Sequence, residues 1–259
     1  MAIERLQVAN SCFRESGISH LQRYLFAQPR VHGRILDVAC GVGFGTYLLG
    51  GSAEHVVGVD LSADAIEEAK AQHTRDNLTY HLGTLDSLPP TAPFDAAVSL
   101  ETIEHVPDPI GFLKSVHARL KPGGTLVISA PNTLQHQRGT PPVPNPYHLN
   151  EPTYSDLRTW VSNHFNITEE WEQSRTVAPR HDATEPLARA GATLGQYRVV
   201  RFLVAIERGL RRLTGKDLPP VAPVIRYTDE LIADTTLLPL LPARRDLAHT
   251  FLFVARAKP

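Results

Sequence analysis

The sequence lacks the features of a secreted, disulfide-bonded or membrane-spanning protein. Only two cysteines, Cys12 and Cys40, occur in the 259 residues, and their spacing fits neither a disulfide framework nor a metal site. No apolar run approaches the roughly 20 residues that cross a bilayer, and the first residues lack the apolar segment of a secretory signal. We therefore expect a soluble, cytoplasmic protein without integral membrane association.

An excess of charge of one sign is also missing. The chain has 26 Lys and Arg residues against 27 Asp and Glu residues, so its formal net charge is −1. Proteins that bind nucleic acids through phosphate contacts usually carry a basic excess, so we expect no nucleic-acid partner. Hydrophobic residues make up 42% of the chain, which is enough for a substantial core and excludes a wholly disordered chain.

The first half of the chain alternates short apolar runs with helical patterns. One helix is predicted over residues 63–73 with Ser62 as its N-cap, and another over 109–120, which ends at a Lys-Pro-Gly-Gly stretch. Strands that alternate with helices indicate βαβ units and a mostly parallel sheet. The five predicted strands are residues 34–39, 55–60, 78–82, 94–100 and 125–130.

The second half is richer in proline, with 14 of the 21 prolines in residues 131–259. A helix is predicted over 153–163, with Thr153 as its cap, and two further strands over 165–171 and 250–256, which we expect to pair as the last hairpin. Proline fixes backbone angles and lowers the entropy that a loop loses on folding. We therefore expect ordered loops in this half of the chain.

A long segment between Arg175 and Arg245 shows no strand pattern. Within it, residues 187–216 place apolar side chains on one helical face and arginines on the other. This pattern is typical of a packed helix with a solvated face. A membrane-surface or anionic-substrate contact, a lid and a dimer contact are the alternatives.

A glycine-rich turn after the first predicted strand is the strongest chemical signal. Gly41 and Gly43 lie between that strand and a predicted helix, where backbone amides can approach a ligand closely. Asp37 precedes the glycines, and its carboxylate would repel a pyrophosphate but suits an amine. Asp60 ends the second strand, where it can accept hydrogen bonds from both ribose hydroxyls or, alternatively, cap the next helix. A ligand that combines adenosine with a cationic amino-acid tail, such as S-adenosylmethionine, offers an amine to Asp37 and ribose hydroxyls to Asp60.

Four stretches in the expected order resemble the motifs of class I S-adenosylmethionine-dependent methyltransferases of the small-molecule type. The group includes the ubiquinone-biosynthesis O-methyltransferases and glycan-pathway methyltransferases, and the resemblance covers residues 20–170. It implies a Rossmann-like, doubly wound α/β fold with a mostly parallel seven-stranded sheet and a helical or loop insertion before the last strand. The stretches are ILDVACGVGFG (35–45), VGVDLS (57–62), 94–107 and LKPGGTLVIS (120–129).

The resemblance also implies a single domain over residues 1–259. Residues 1–30 would form an N-terminal helical cap, 31–130 the cofactor-binding core, and 131–259 the acceptor-binding elements, the insertion and the last strands. The chain reads Gly-Thr-Leu-Asp where relatives often carry an acid directly after the glycine, so either Thr84 or Asp86 would serve adenine, and Asp86 can equally be a solvated turn residue. The cofactor contacts implied are Asp37, Ala39, Gly41, Gly43, Asp60, Leu61, Thr84, Leu85, Asp86 and Leu100.

The acceptor site is expected beyond the fourth and fifth strands. Ligands of open α/β sheets bind outside the carboxyl ends of the strands, which makes Glu101 and His105 candidates for substrate binding. The Asn-Pro-Tyr-His stretch resembles one in glycan-pathway relatives and adds Tyr147 and His148. His148 is our preferred general base and His105 the second candidate catalytic residue. The alternatives are that His105 packs the turn at Pro107 and that Tyr147 and His148 anchor a loop.

The predicted function is therefore methyl transfer from S-adenosylmethionine to a small molecule, with O-methylation of a sugar or another hydroxylated metabolite as the first choice. The alternatives are a polyketide, aromatic or peptide-derived acceptor, or a cofactor-binding pathway protein that does not methylate. A nicotinamide dehydrogenase is disfavoured by Asp37. No histidine spacing matches a known metal site, so we expect no metal, and a homodimer is left open.

Overall fold

The computed structural model describes residues 15–136, 147–175, 235–242, 245 and 248–259. An eight-stranded sheet forms its centre, with the spatial order β3-β2-β1-β4-β5-β8-β6-β7. In chain order the strands are β1 (Arg34–Val38), β2 (His55–Asp60), β3 (Leu78–Leu82), β4 (Phe94–Leu100), β5 (Leu120–Pro131), β6 (Phe165–Arg175), β7 (Thr235–Pro239) and β8 (Thr250–Ala257).

Helices accompany the sheet, and the core lies on both of its faces. Successive residues of β1 point to opposite faces, so Ile35 and Leu36 belong to two different clusters of buried side chains. Burial on both faces explains why the inner strands read as apolar runs rather than as alternating patterns. The helices are α1 (Glu15–Ala27), α2 (Phe44–Leu49), α3 (Ala63–Gln72), α4 (Pro109–Arg119), α5 (Thr133–His136) and α6 (Tyr154–Ser162).

The predicted fold class is confirmed in its main features. Strands β1 to β5 pair in parallel through β1 with β2 and β4, β2 with β3, and β4 with β5. The predicted last hairpin is also present, because β8 pairs antiparallel with β6 and inserts between β6 and β5. Ser62 and Thr153 cap α3 and α6 as predicted.

The number of strands differs from the prediction, since the sheet has eight strands and not seven. The additional strand is β7, which lies in the segment where we found no strand pattern. Its sequence, Thr-Thr-Leu-Leu-Pro, does not alternate and ends in proline. Such a strand fits only at an edge of a sheet, where a missing backbone N–H costs little, and β7 is the last strand in the spatial order.

Some predictions fall outside the described residues. These are Cys12, the basic segment 187–216 and most of the insertion before the last strand. Of the described residues, 21–136, 147–174, 237–242, 245 and 248–259 belong to one compact unit, and 15–20, 175, 235 and 236 are assigned to a second. The single-domain organisation stays a prediction. Among the residues that the structure describes, no helix is long and apolar enough to cross a membrane.

The N-terminus of α6 provides a test of the local structure that leads out of the predicted acceptor loop. Thr153 Oγ1 accepts from the Asp156 amide, while the Asp156 carboxylate accepts from the Thr153 amide. Because this capping box is lost in Thr153→Ala, we expect the free energy of unfolding to fall by about 1 kcal/mol in urea denaturation. Thr159→Ala, an exposed position on the same helix, is the matched control and should change it by less than about 0.5 kcal/mol. Equal losses in the two variants would contradict the capping role.

Candidate active site

The loop after β1 is held against β2 by hydrogen bonds that two of its backbone amides donate. The Cys40 amide donates to the Val59 carbonyl at 3.0 Å, and the Gly41 amide donates to Asp60 Oδ2 at 2.8 Å. Ala39, Gly41 and Gly43 all have positive φ angles, of 58°, 54° and 81°. A positive φ is strained for alanine, so the surrounding contacts must hold this turn in place.

The three glycines of the loop differ in what surrounds them. A Cβ at Gly41 would meet no atom within 4 Å, whereas one at Gly43 would lie 2.6 Å from Ala69 Cβ and 2.8 Å from Tyr80 Oη. A Cβ at Gly45 would collide with the Tyr24 ring. Gly43 therefore allows the turn to pack closely against α3 and β3, Gly45 allows α2 to pack closely against α1, and Gly41 leaves open space beside the backbone.

Asp60 is half-buried at the end of β2 and is fixed by two backbone amides. Its Oδ2 accepts from Gly41 and its Oδ1 accepts from Ser62 at 2.9 Å. The side chain that caps α3 is Ser62, whose Oγ accepts from the Ala65 amide, so capping is not the role of Asp60. Because each carboxylate oxygen can accept two hydrogen bonds, Asp60 keeps the capacity to accept from two hydroxyls of a ligand.

Asp37 lies beneath the loop and is fully buried. The hydroxyls of Tyr24 and Thr46 donate to its two oxygens at 3.1 Å and 2.6 Å. Burial, with a smaller contribution from the Asp60 charge, raises the pKa of Asp37 to about 7, although the hydrogen bonds from Thr46 and Tyr24 oppose the shift. Asp37 thus joins α1, β1 and α2. Its implied contact with the amino group of a cofactor stays a prediction.

The other implied cofactor residues lie around the same edge of the sheet. Thr84 Oγ1 accepts from the Ser87 amide and begins a short 3-10 turn, so this hydroxyl already has a structural role. The other implied cofactor residues fall into an exposed group and a buried group, and their contacts with adenine stay predictions. Ala39, Leu61, Thr84 and Asp86 are exposed, whereas Leu85 and Leu100 are buried.

Glu101 follows β4 in a strained conformation, with a φ of 51°. Ser129 Oγ donates to its Oε1 at 2.7 Å, and the Glu101 amide donates back to Ser129 Oγ at 3.1 Å. Arg23 lies 3.4 Å from Glu101 Oε2, and its Nε donates to Gln173. Glu101 is therefore a fixed anion at the rim of the sheet, one strand away from the glycine loop.

The structure brings together two histidines that are 43 positions apart in the sequence. The rings of His105 and His148 lie edge to face, with centroids 4.8 Å apart. His105 Nδ1 is 3.0 Å from the Tyr147 carbonyl oxygen, and His148 Nδ1 contacts Glu151 Oε1 closely. Sequence analysis assigned both histidines and Tyr147 to one acceptor site, and these residues do lie together. The contact of His105 Nδ1 with the Tyr147 carbonyl and that of His148 Nδ1 with Glu151 also fit the alternative stated for Tyr147 and His148, namely that they anchor a loop.

Two residues of this cluster were missed in the sequence. Glu104 is 1% exposed, its backbone carbonyl accepts from Leu149 and Asn150, and its Oε2 has no hydrogen-bond partner among the described residues. Burial and the nearby charge of Glu101 raise the pKa of Glu104 well above its usual range. Glu151 lies against His148. Glu104 and Glu151 each lie within three residues of a histidine that the sequence analysis selected. The sequence does not indicate that Glu104, and not Glu101, is the buried acid beside His105.

A separate surface cavity of about 520 Å³ lies at the start of β4. Its lining includes Asp86, Phe94, Lys114 and Arg119. None of the glycines of the loop, Asp60 or the two histidines lines it. Since ligands of open α/β sheets bind at the carboxyl ends of the strands, we assign the candidate active site to the loop edge and not to this cavity.

Comparison with known sequences shows a consistent set of relatives. A methyltransferase domain family matches residues 12–169. The chain is 30% identical over 176 residues to a protein of Mycolicibacterium smegmatis that is named a probable S-adenosylmethionine-dependent methyltransferase. The match covers 66% of each chain. It is 34% identical over 108 residues to the ubiquinone biosynthesis O-methyltransferase of Xylella fastidiosa, covering 40% of this chain and 44% of that protein. The chain thus spans about half to two thirds of the length of these curated relatives.

Solved structures share the fold at low sequence identity. The N-methyltransferase NodS of Bradyrhizobium japonicum WM9, in complex with S-adenosyl-L-homocysteine, has a TM-score of 0.52 at 16% identity, covering 65% of this chain and 84% of that one. An S-adenosylmethionine-dependent methyltransferase from Mesorhizobium loti has a TM-score of 0.54 at 19% identity, covering 93% and 99%. The fold predicted from the sequence is therefore that of structurally known methyltransferases.

The buried carboxyl of Asp37 makes the stability of the protein depend on pH. Because its pKa in the folded chain is about 7 and the value in an unfolded chain is about 3.9, its stabilising contribution is complete below pH 4 and is lost as the pH rises through 7. Asp37→Asn cannot ionise. We therefore expect the difference in unfolding free energy to shift in favour of the variant by about 2 to 3 kcal/mol between pH 5 and pH 8, measured by urea denaturation.

Asp95 is the matched control for this measurement. A hydrogen bond from Lys121 and one from the Arg34 amide hold its pKa below the ordinary range, so it is ionised in both states from pH 5 to pH 8. Asp95→Asn should therefore change stability equally at the two pH values. A shift of the same size in both variants would contradict the assignment to Asp37.

Proposed function

Because the chain belongs to the S-adenosylmethionine-dependent methyltransferases, we propose that it transfers the methyl group of that cofactor to a hydroxyl oxygen of a small-molecule acceptor. One observation carries the proposal. The open glycine loop with Asp60 and the histidine pair lie at the carboxyl ends of strands that are neighbours in the sheet. A cofactor on β1 and β2 would therefore lie next to an acceptor beyond β4.

The residues at the loop fit the cofactor. The open space beside Gly41 leaves room for a ligand close to the backbone, and the Asp60 carboxylate, which accepts one backbone amide on each oxygen, keeps the capacity to accept from two ribose hydroxyls. When bound, the cofactor supplies a methyl group on a positively charged sulfur. The neutral thioether that remains after the transfer needs no acid in order to leave. The protein therefore has to orient the acceptor, exclude water and receive a proton.

The acceptor side is rich in groups that suit a hydroxyl. His148 is our proposed proton acceptor, because Glu151 binds its Nδ1 and so leaves Nε2 as the basic nitrogen. His105 lies edge to face against it, and Tyr147 and Glu101 would contact the acceptor. The ubiquinone-biosynthesis relatives are named as O-methyltransferases, which favours oxygen as the methylated atom. A sugar or another hydroxylated metabolite is the acceptor class that we propose.

A methyl-label assay tests this function and its proposed base together. The purified full chain is incubated with methyl-labelled S-adenosylmethionine and a small-molecule extract, and labelled products are identified by mass spectrometry. We expect an O-methylated product, and His148→Ala should lower its rate by about 100- to 10,000-fold while S-adenosylhomocysteine affinity stays within about twofold. His55→Ala, at the start of β2 beside Thr79 of β3, is the control and should keep the parental rate.

The negative outcomes of the assay have separate meanings. If the protein binds S-adenosylhomocysteine but no labelled product forms, it is a cofactor-binding protein without transferase activity. If the label is found only on nitrogen or carbon, the proposal that oxygen is the methylated atom is wrong. If His148→Ala retains the full rate, the histidine only anchors its loop.

The glycine loop gives an independent test of cofactor binding. In Gly41→Ala the new methyl group would enter the open space beside the backbone, and Ala39 shows that alanine can adopt a positive φ in this turn. We expect S-adenosylhomocysteine affinity to fall by about tenfold or more in calorimetry, with a loss of about 1 to 2 kcal/mol in stability. In Gly43→Ala the methyl group meets Ala69 and Tyr80, so the loss in stability should be larger. Unchanged affinity in Gly41→Ala would contradict this placement of the cofactor.

A further inference from the structure

We propose that Glu104, His105 and His148 form a binding site for one divalent transition-metal ion, of the Zn²⁺ or Co²⁺ type, at the acceptor side of the cleft. The binding of the ion is argued from the residues alone. Its role rests on the proposed function, since the ion would hold the oxygen atoms of the acceptor.

The three side chains have the spacing of ligands around a single ion. One ligand atom from each of them lies within 4.8 Å of the other two, and His105 Nε2 is 3.8 Å from Glu104 Oε1. Ligand atoms that each stand about 2.0 to 2.2 Å from an ion are separated by roughly 3 to 4 Å, so small rotations of these side chains complete the site. Two imidazoles and one carboxylate favour a transition metal over Mg²⁺ or Ca²⁺, which prefer oxygen ligands.

Each histidine is already oriented as a metal ligand would be. Metal-binding histidines nearly always use their second ring nitrogen to bond a carbonyl or a carboxylate. In this protein Nδ1 of His105 faces the Tyr147 carbonyl, and Nδ1 of His148 faces the Glu151 carboxylate. With the Nδ1 atoms so engaged, Nε2 is the nitrogen that would bind an ion in both residues.

The buried carboxylate of Glu104 is an independent sign of a missing cation. Its side chain is 1% exposed, and one of its oxygens lacks a hydrogen-bond partner among the described residues. A buried carboxylate without a partner is costly. Arg23 lies near enough to act electrostatically on Glu104, but its ion pair is with Glu101. A metal ion between Glu104 and the histidines would give this buried carboxylate a positively charged partner.

An ion held by three protein ligands keeps coordination positions open for a substrate. Two neighbouring oxygen atoms, as in a vicinal diol of a sugar or a catechol, could occupy such positions together. The site therefore narrows the acceptor class from hydroxylated molecules in general to those with adjacent hydroxyls. With the ion bound, Nε2 of His148 would be a ligand and not the proton acceptor. The ion would instead lower the pKa of a coordinated acceptor hydroxyl, whose proton would pass to solvent water. Loss of His148 would then weaken metal binding as well as turnover.

The experiment is a metal titration of the full chain, prepared without a histidine tag and freed of metal by a chelator. Zn²⁺ binding is measured by calorimetry and Co²⁺ binding by visible absorption. We expect one equivalent to bind, and His105→Ala, His148→Ala and Glu104→Gln to weaken it by about 100-fold each. Glu151→Gln should weaken it by about 10- to 100-fold through His148. His55→Ala should bind as the parent does, and circular dichroism establishes that each variant is folded.

The results separate this inference from the proposed function. Binding that is absent, or that is equally weak in the parent and all variants, overturns the metal site. If no metal binds while O-methylation proceeds in the presence of a chelator, the metal site is wrong and the function stands. If one equivalent binds through these residues but no methyl transfer occurs, the metal site stands and the function is wrong.

Discussion

The parallel pairing of β1 with β2 on one side and β4 on the other is the constraint on which the rest of the structure depends. Val38 lies opposite Val59 in one pair and opposite Ser99 in the other. Because the three strands end in register, the residues that follow them meet at one edge of the sheet. The glycine loop, Asp60 and Glu101 each come directly after, or end, one of these strands. No local sequence feature could bring them together without this register.

The edge is stabilised from beneath by a buried polar contact. Asp37 holds Tyr24 of α1 and Thr46 of α2 through its two oxygens, and it precedes the strained residue Ala39 by two positions in the chain. On the neighbouring strand, Ser129 and Arg23 hold Glu101 in its own strained conformation. Strained backbone persists only where surrounding contacts determine it. Both strained residues lie at the candidate active site, and buried polar groups hold both of them in place.

Much of this arrangement could be predicted from the sequence, because it depends on local signals. Apolar runs predicted the parallel strands, and Ser62 and Thr153 predicted the helix starts. A residue's role could not be predicted where it depends on neighbours that are far away in the sequence. Nothing local distinguishes Gly41, which leaves open space, from Gly43, whose missing side chain admits Ala69 and Tyr80. Likewise, nothing local indicates that Glu104 is buried and that its backbone carbonyl accepts from Leu149 and Asn150 of a distant loop, or that β7 forms the edge of the sheet beside β6.

A crystal structure of the full chain with S-adenosylhomocysteine would test the central claim most directly, namely that cofactor and acceptor residues meet at one edge of the sheet. We expect the ribose hydroxyls within about 3.2 Å of the Asp60 carboxylate, the ligand backbone beside Gly41, and the sulfur turned toward His105 and His148. A ligand bound instead in the cavity beside Phe94 and Arg119, or with its sulfur on the side away from the histidines, would contradict the account.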